Sequence, residues 1–382
     1  MPFPSGEVAI VGVYESPRRK APGVHPFAIQ AECILGAVAD AGLELGDVDG
    51  FATAAGFPSE GGLQMSLSEV AEYMGLHPRW FDGTDIGGAT FISHAGHAAL
   101  AIAAGIADVV VVSYAAAGYS GIPDIPFADY GTNNAGPGQF EIPYGPSTVS
   151  TYALAATRHM HEYGTTPEQL ARIAVQCRAN AAPNPDARFR DPITIDEVLA
   201  SPVIAAPLHR LDCCIVSDSG GAFVMTSKRR AEQLSNRPVY LLGFGEALGQ
   251  LSMSQMWPFT ETAAVHSGAR AFASAGMRPS DIDVAQIYDS FTITVLLTLE
   301  SLGFCAKGEG GAYVESGELA YNTDGGGLSS NHPGRRGVFT MIEGVRQLRG
   351  SSPGVQLDDP KTCLVNGTGG SLSATATMIL GV

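Results

Sequence analysis

Tyr288 and His332 are the residues whose type and setting best suit proton transfer. Tyr288 ends an apolar run and opens the stretch Tyr-Asp-Ser-Phe, and His332 stands in the Gly-rich turn Asn-His-Pro-Gly. A side chain that can give or take a proton is useful at the carboxyl end of a strand, where substrates of α/β proteins bind. Tyr288 could also be a buried strand-end aromatic with a satisfied hydroxyl, but the polar residues after it favour a functional role. Asp289 reads either as a structural hydrogen-bond acceptor or as a group that orients Tyr288. The remaining candidates are weaker. His94 and His97 lie three apart on one predicted helix, which fits packing or pocket lining better than a metal pair, and no metal site is expected. His159 and His161 fall on different helix faces. Cys213, Cys214 and Cys305 have apolar or acidic neighbours and read as inert thiols. Lys228 to Arg230 reads as a solvated helix start.

The chain that must position these residues has 382 of them, 45% hydrophobic and 16% charged. That composition belongs to folded globular proteins and excludes disorder. The 22 basic and 38 acidic residues leave a net charge of −16, which disfavours nucleic acid as a partner. No window approaches the roughly 18 apolar residues of a membrane span, and the start, MPFPSGEVAIVGV, lacks a secretory pattern. A cytoplasmic location is expected. Six cysteines without a CxxC pair suggest reduced thiols, with neither a disulfide framework nor a zinc ribbon.

The sequence repeats itself. Residues 39–49 (ADAGLELGDVD) match 273–283 (ASAGMRPSDID), preceded in each half by an apolar strand, Val8 to Val13 and Val239 to Phe244. Downstream, Glu69 to Leu76 parallels Leu297 to Phe304, and Ile86 to Gly105 parallels Ser330 to Gly350. Each of the last pair leads into an apolar strand, Val109 to Tyr114 and Cys363 to Gly367. Strands alternating with helices predict mostly parallel sheet covered by helices, here as two similar lobes about a pseudo-twofold axis. The expected division is 1–114 for the first lobe, 115–236 for a loop and cap insertion that completes it and covers the site, and 237–382 for the second lobe. Within the insertion, helices are predicted from about Val149 to Tyr163 and from Pro167, capped by Thr166. Its Pro-rich loops, IPDIPFADYG and FEIPYGP, are expected to shape a pocket.

The two tandem βαβαβ halves, the GGAT turn before a helix ending AAGIADVVVV, the HPG turn and the C-terminal NGTGG resemble the thiolase superfamily over nearly the whole chain. RHMHEYGTT, LDCC followed by SDSGGA, YDSFTITVLLTLESLGFCAKGEGG and EGVRQLRG are similar to the nonspecific lipid-transfer or sterol-carrier branch, and most of all to the thiolase-like aldolases of steroid side-chain breakdown. The resemblance implies an α/β thiolase fold in α-β-α-β-α layers. It also implies a homodimer and a zinc-ribbon and OB-fold accessory subunit.

Thiolases set a nucleophilic cysteine at the start of the first-half helix, where the helix dipole lowers its pKa. The matching position here falls near Gly88, inside IGGAT, where no cysteine stands. The second thiolase cysteine matches Val365 or Asn366, and that of the sterol-carrier motif matches Ser290. Without a thiol, Claisen thiolysis is disfavoured. Retro-aldol cleavage of a β-hydroxyacyl-CoA needs no covalent intermediate, only a base for the hydroxyl proton and donors for the enolate oxygen. The resemblance gives the first task to Tyr288, with His332 and Asp289 beside it. It gives oxyanion and substrate contacts to Gly88, Gly367, Asn366 and Gly369. The aldolases' second tyrosine, expected near the HPG turn, is missing; Arg335, Arg336 and Phe339 stand there, and His332 would take that part. Arg335 and Arg336 are the local candidates for CoA phosphates, since the net charge opposes such a ligand. The expected activity is cleavage of a branched β-hydroxyacyl-CoA from sterol, bile-acid or aromatic side-chain degradation, with CoA as thioester carrier and no further cofactor. The alternatives are an acyltransferase using a nucleophile such as Ser290, and a noncatalytic lipid or acyl-CoA carrier.

Overall fold

The computed structural model describes residues 2–54, 66–120, 136–234 and 237–382. The loop Ile122 to Gly131, expected to help shape the pocket, lies outside them. The first half contributes β1 (Val8–Glu15), β2 (Gly50–Thr53), β3 (Trp80–Asp82), β4 (Val109–Ala117) and β5 (Asp218–Ser227), with helices α1 (Pro26–Asp40), α2 (Ser66–Met74) and α3 (Thr90–Ala103). Between β4 and β5 run the cap helices α4 (Thr148–Tyr163) and α5 (Pro167–Ala181). The second half follows with β6 (Val239–Leu248), β7 (Val284–Ile287), β8 (Ala320–Tyr321), β9 (Thr362–Gly369) and β10 (Ala374–Gly381), and with α6 (Ala264–Ala275), α7 (Thr292–Ser301) and α8 (Gly337–Arg349). The cap helices start where expected: Ser147 and Thr166 each close a capping box, and Pro167 opens α5.

The strands form one ten-stranded mixed sheet, in the order β8-β7-β9-β10-β6-β1-β5-β4-β2-β3. Counted outward from the centre, the two halves have the same order. In each, the outer strands pair in parallel (β2 with β3 and β4, β7 with β8 and β9) and the inner ones antiparallel. The duplicated first strands join the halves, Ala9 opposite Tyr240 and Ile10 opposite Val239.

Inside its edge strand β3 the sheet is largely buried on both faces, as continuous apolar runs such as Val109 to Val112 require. Helices α3 and α8 share a central core with β4 and β9, while α1 and α2 cover one outer face and α6 and α7 the other, the latter packed against the cap. This is the expected five-layer α/β arrangement. Gly12 and Gly243 hold equivalent places in β1 and β6. A Cβ there would lie 2.0 Å from the Ala37 carbonyl oxygen and 2.2 Å from that of Ala271. Only glycine lets each outer helix lie with its backbone on the strand, so the repeat extends to packing.

Candidate active site

Tyr288 follows β7 directly. Its N–H donates to the Asn366 carbonyl at 2.9 Å, continuing the β7–β9 pairing, and its ring turns into the central layer. The hydroxyl lies 2.8 Å from Nε2 of His332, the two rings standing at 87°. Backbone and side chain fix the histidine turn from below: the His332 N–H donates to Oγ of Ser217 at 2.9 Å, and Tyr114, in the carboxyl-terminal half of β4, donates its hydroxyl to the Pro333 carbonyl at 3.0 Å. Burial, with the neighbouring Cys214, holds the Tyr288 phenol well above its usual pKa of 10. Burial and then the charge of Arg336 lower His332 to about 4. At neutral pH the pair is therefore an uncharged phenol beside an uncharged imidazole. With the phenol as donor, Nε2 is the unprotonated nitrogen. The phenol oxygen can then accept a substrate proton as its own moves to Nε2, a relay that leaves an imidazolium at His332 opposite the negative charge left on the substrate.

The other wall is the turn Gly87–Ala89 at the head of α3. Gly88 is buried, and a Cβ on it would meet Cε2 of Tyr288 at 2.3 Å and the Thr368 carbonyl oxygen at 2.4 Å. A nucleophile's side chain at this position and the Tyr288 ring are mutually exclusive. Gly367 and Gly369 of β9 close the same wall: a Cβ on the first would lie 2.9 Å from Cα of Ala89, and on the second 1.7 Å from the Ile86 carbonyl oxygen. Beside it opens a cleft of about 490 Å³ lined by Asp85, Gly87, Leu248, Leu251 and Gly370.

The second half matches the Thiolase C-terminal domain-like family over residues 245–382. The chain is 35% identical to the steroid side-chain-cleaving aldolase of Thermomonospora curvata, covering 98% of both chains. It belongs to the thiolase superfamily, as an aldolase-like member. A solved structure described as Ltp2-ChsH2(DUF35) aldolase superposes with a TM-score of 0.89 at 34% identity, over 100% of this chain and 99% of that one. An acetyl-CoA acetyltransferase of Methanothermobacter thermautotrophicus is 33% identical over 96% of this chain and 97% of its own. Identity alone barely separates lyase from acyltransferase relatives, so the site geometry has to.

Within this thiolase-superfamily chain the expected site residues do not all converge. Tyr288, His332, Gly88, Gly367 and Gly369 do. Asp289 faces away: its two carboxylate oxygens accept the amides of Gly327 (2.7 Å) and Leu328 (3.1 Å), and burial raises it to about 6. It anchors a turn rather than orienting the tyrosine. Asn366 is corrected as a substrate contact. Strand neighbours point to opposite faces, so with Gly367 toward Ala89 the Asn366 amide points to the outer layer, donating to Thr377 at 2.8 Å. Arg336 is corrected as a phosphate ligand: it is 1% exposed, spends Nη2 on both oxygens of Asp324 and Nη1 on Asn331, and cannot reach an anion from solvent. Arg335 reaches the surface but is paired with Asp85 at 2.8 Å, tying the two halves of the site together.

Ser290 shares its hydroxyl with Thr294 at 2.9 Å, not with a base. Burial raises Cys213 to about 12 and raises Cys214 further, leaving them thiols. His97 bridges Asp82 and Glu246 at 2.6 and 3.1 Å, whereas the buried His94 bonds the Thr84 carbonyl. His159 is buried against Glu300. Tyr114 and Ser217, which brace the histidine turn, were not among the candidates. Tyr114 is an aromatic hydroxyl at the carboxyl end of an apolar strand, a signal the sequence does carry.

Proposed function

We propose that the chain is a carbon–carbon lyase that cleaves a branched β-hydroxyacyl-CoA into a ketone or aldehyde and a shorter acyl-CoA. The observation that carries this reading is the exclusion at Gly88, where the Tyr288 ring fills the space a thiolase nucleophile would need. In the reaction, the β-hydroxyl proton passes to the Tyr288 oxygen while the tyrosine proton moves to Nε2 of His332. The bond between the α and β carbons breaks, its electron pair forming the thioester enolate, and the β carbon becomes a carbonyl. The proton then returns through Tyr288 to the α carbon, so nothing is left over and no free CoA is consumed. We assign the enolate oxygen to the oxyanion positions that the thiolase resemblance gives to Gly88 and Gly367, with His332 beside them.

The steroid side-chain-cleaving relative supports a polycyclic or similarly branched acyl group. The DUF35 subunit named with the related structure supports an accessory partner here, which we take to be of the zinc-ribbon and OB-fold kind. A homodimer would cover the outer edge of β3, which pairs with no further strand among the described residues and where Phe81 is 64% exposed; open edges of this kind invite pairing. Among the described residues no helix is long and apolar enough to cross a membrane. Six free cysteines favour a reducing, cytoplasmic setting.

Intact-protein mass spectrometry during turnover tests the reading. No acyl adduct is expected at any time; accumulation of one on a cysteine or on Ser290 would replace the lyase by the acyltransferase.

A further inference from the structure

With Arg336 buried and Arg335 paired, no expected residue is left to meet the phosphates of CoA on a chain of net charge −16. We propose that the adenosine bisphosphate end of CoA docks on a basic patch of Lys20 and Arg188, beside the His332 turn; this rests on the acyl-CoA reading above. Three distant segments build the patch. The buried carboxylate of Asp218 accepts the amides of Ala21, Tyr119 and Ser120 at 2.6, 2.7 and 2.8 Å, locking two of them together. The third is fixed by Nη1 of Arg188, which donates to the Arg19 carbonyl at 3.1 Å. The Arg188 guanidinium lies 4.2 Å from the Tyr119 ring centroid and Nζ of Lys20 lies 5.3 Å from it. Lys20 and Arg188 have no ion-pair partner among the described residues, so their charge is available to a ligand. Tyr119 and Phe189, 42% and 43% exposed, give the rim apolar surface for a base.

The location fits the same ligand. The amides of Arg188 and Phe189 donate to the carbonyls of Ser330 and Ser329 at 3.0 Å each, so the patch is rooted two residues before His332. A Cβ on Gly118, next to Tyr119, would lie 3.5 Å from the Pro333 carbonyl carbon, so this segment runs alongside the histidine turn. The patch and Tyr288 thus flank one histidine turn, and we assign the pantetheine arm to the span between them. Exposed cations favour phosphate by charge-assisted hydrogen bonds, and the attraction is screened by salt.

Calorimetric titration of the full chain with CoA, dephospho-CoA, 3′,5′-ADP and 4′-phosphopantetheine tests the proposal, with Arg188→Glu and Lys20→Glu as variants. CoA should bind more tightly than dephospho-CoA, and each charge reversal should weaken CoA and 3′,5′-ADP by roughly tenfold or more. Phosphopantetheine should bind parent and variants alike. Lys20 is exposed, so its variant keeps the test alive if Arg188→Glu does not fold. Equal CoA affinity in the folded variants, or no binding of 3′,5′-ADP to the parent, overturns the patch even if cleavage is observed. Binding that depends on the patch without any cleavage upholds it and removes the lyase instead.

Discussion

The Tyr288 ring lies against Gly88 so closely that one more carbon on residue 88 would stand 2.3 Å from its Cε2 atom. The two positions act as a single choice between a covalent nucleophile and a proton carrier, and this chain has the second.

Gly88→Ala therefore forces the ring or the backbone of β9 to move. Overpacking of this kind costs about 1–3 kcal/mol. A lower melting temperature and a loss of cleavage are expected together, and Gly88→Cys should gain no thiolysis. A Gly88→Ala protein with the parent's stability and rate would show that the ring has room to spare.

Tyr288→Phe removes only the hydroxyl. The ring still fills its site, so folding and ligand affinity should persist while cleavage falls by roughly 100-fold or more, the usual contribution of a positioned acid or base. Turnover within threefold of the parent would assign the proton to another group.

Asp289→Asn separates anchoring from catalysis. The amide cannot accept from both the Gly327 and Leu328 amides, and an unsatisfied buried donor costs about 1–3 kcal/mol. Stability should fall, with turnover reduced less than tenfold. A loss comparable with that of Tyr288→Phe would place Asp289 in the chemistry after all.

Acid should destabilise the fold through its buried histidines. His332 and His94 are both lowered to about 4, so from pH 6.5 downward the unfolded chain takes up protons that the folded chain refuses, and stability falls until about pH 4. Asp289, raised to about 6, works the other way, because the fold binds its proton first as pH drops through 6. Between pH 6.5 and 5 each histidine contributes a loss of about 2 kcal/mol. His332→Gln should lose less stability than the parent between pH 7 and pH 5 in denaturant titrations. An unchanged loss would mean that His332 already carries a proton in the fold.

Arg336→Met should cost about 3–5 kcal/mol, since it leaves the buried Asp324 carboxylate without its cation. Arg336→Lys should rescue only part of this, because one ammonium cannot reproduce the fork that holds Asp324 and Asn331 together. Full stability in either variant, measured by chemical denaturation, would contradict that role.

Much of this was legible in the sequence because it is written twice. The paired strands and helices, and glycines at equivalent places such as Gly12 and Gly243, announced the duplicated topology, and Tyr288, Gly88 and His332 stood at strand ends and turns that the topology brings together. Asn366 could also have been judged from sequence, since it and Gly367 are adjacent in one strand and cannot face the same site. Arg336 could not. Its burial depends on Asp324 and Asn331, and the pair Arg335-Arg336 looks alike in sequence while one side chain faces the surface and the other the core. The basic patch was invisible for a similar reason: Lys20, Tyr119 and Arg188 meet only through Asp218 and the Arg19 carbonyl.

The most direct measurement is product analysis by mass spectrometry on matched β-hydroxyacyl-CoA and β-ketoacyl-CoA substrates, with the chain and its accessory subunit, each with and without free CoA. The account predicts cleavage of the hydroxy ester at the same rate whether or not CoA is added, yielding a carbonyl product and a shorter acyl-CoA. Cleavage of the keto ester only when CoA is supplied would contradict it.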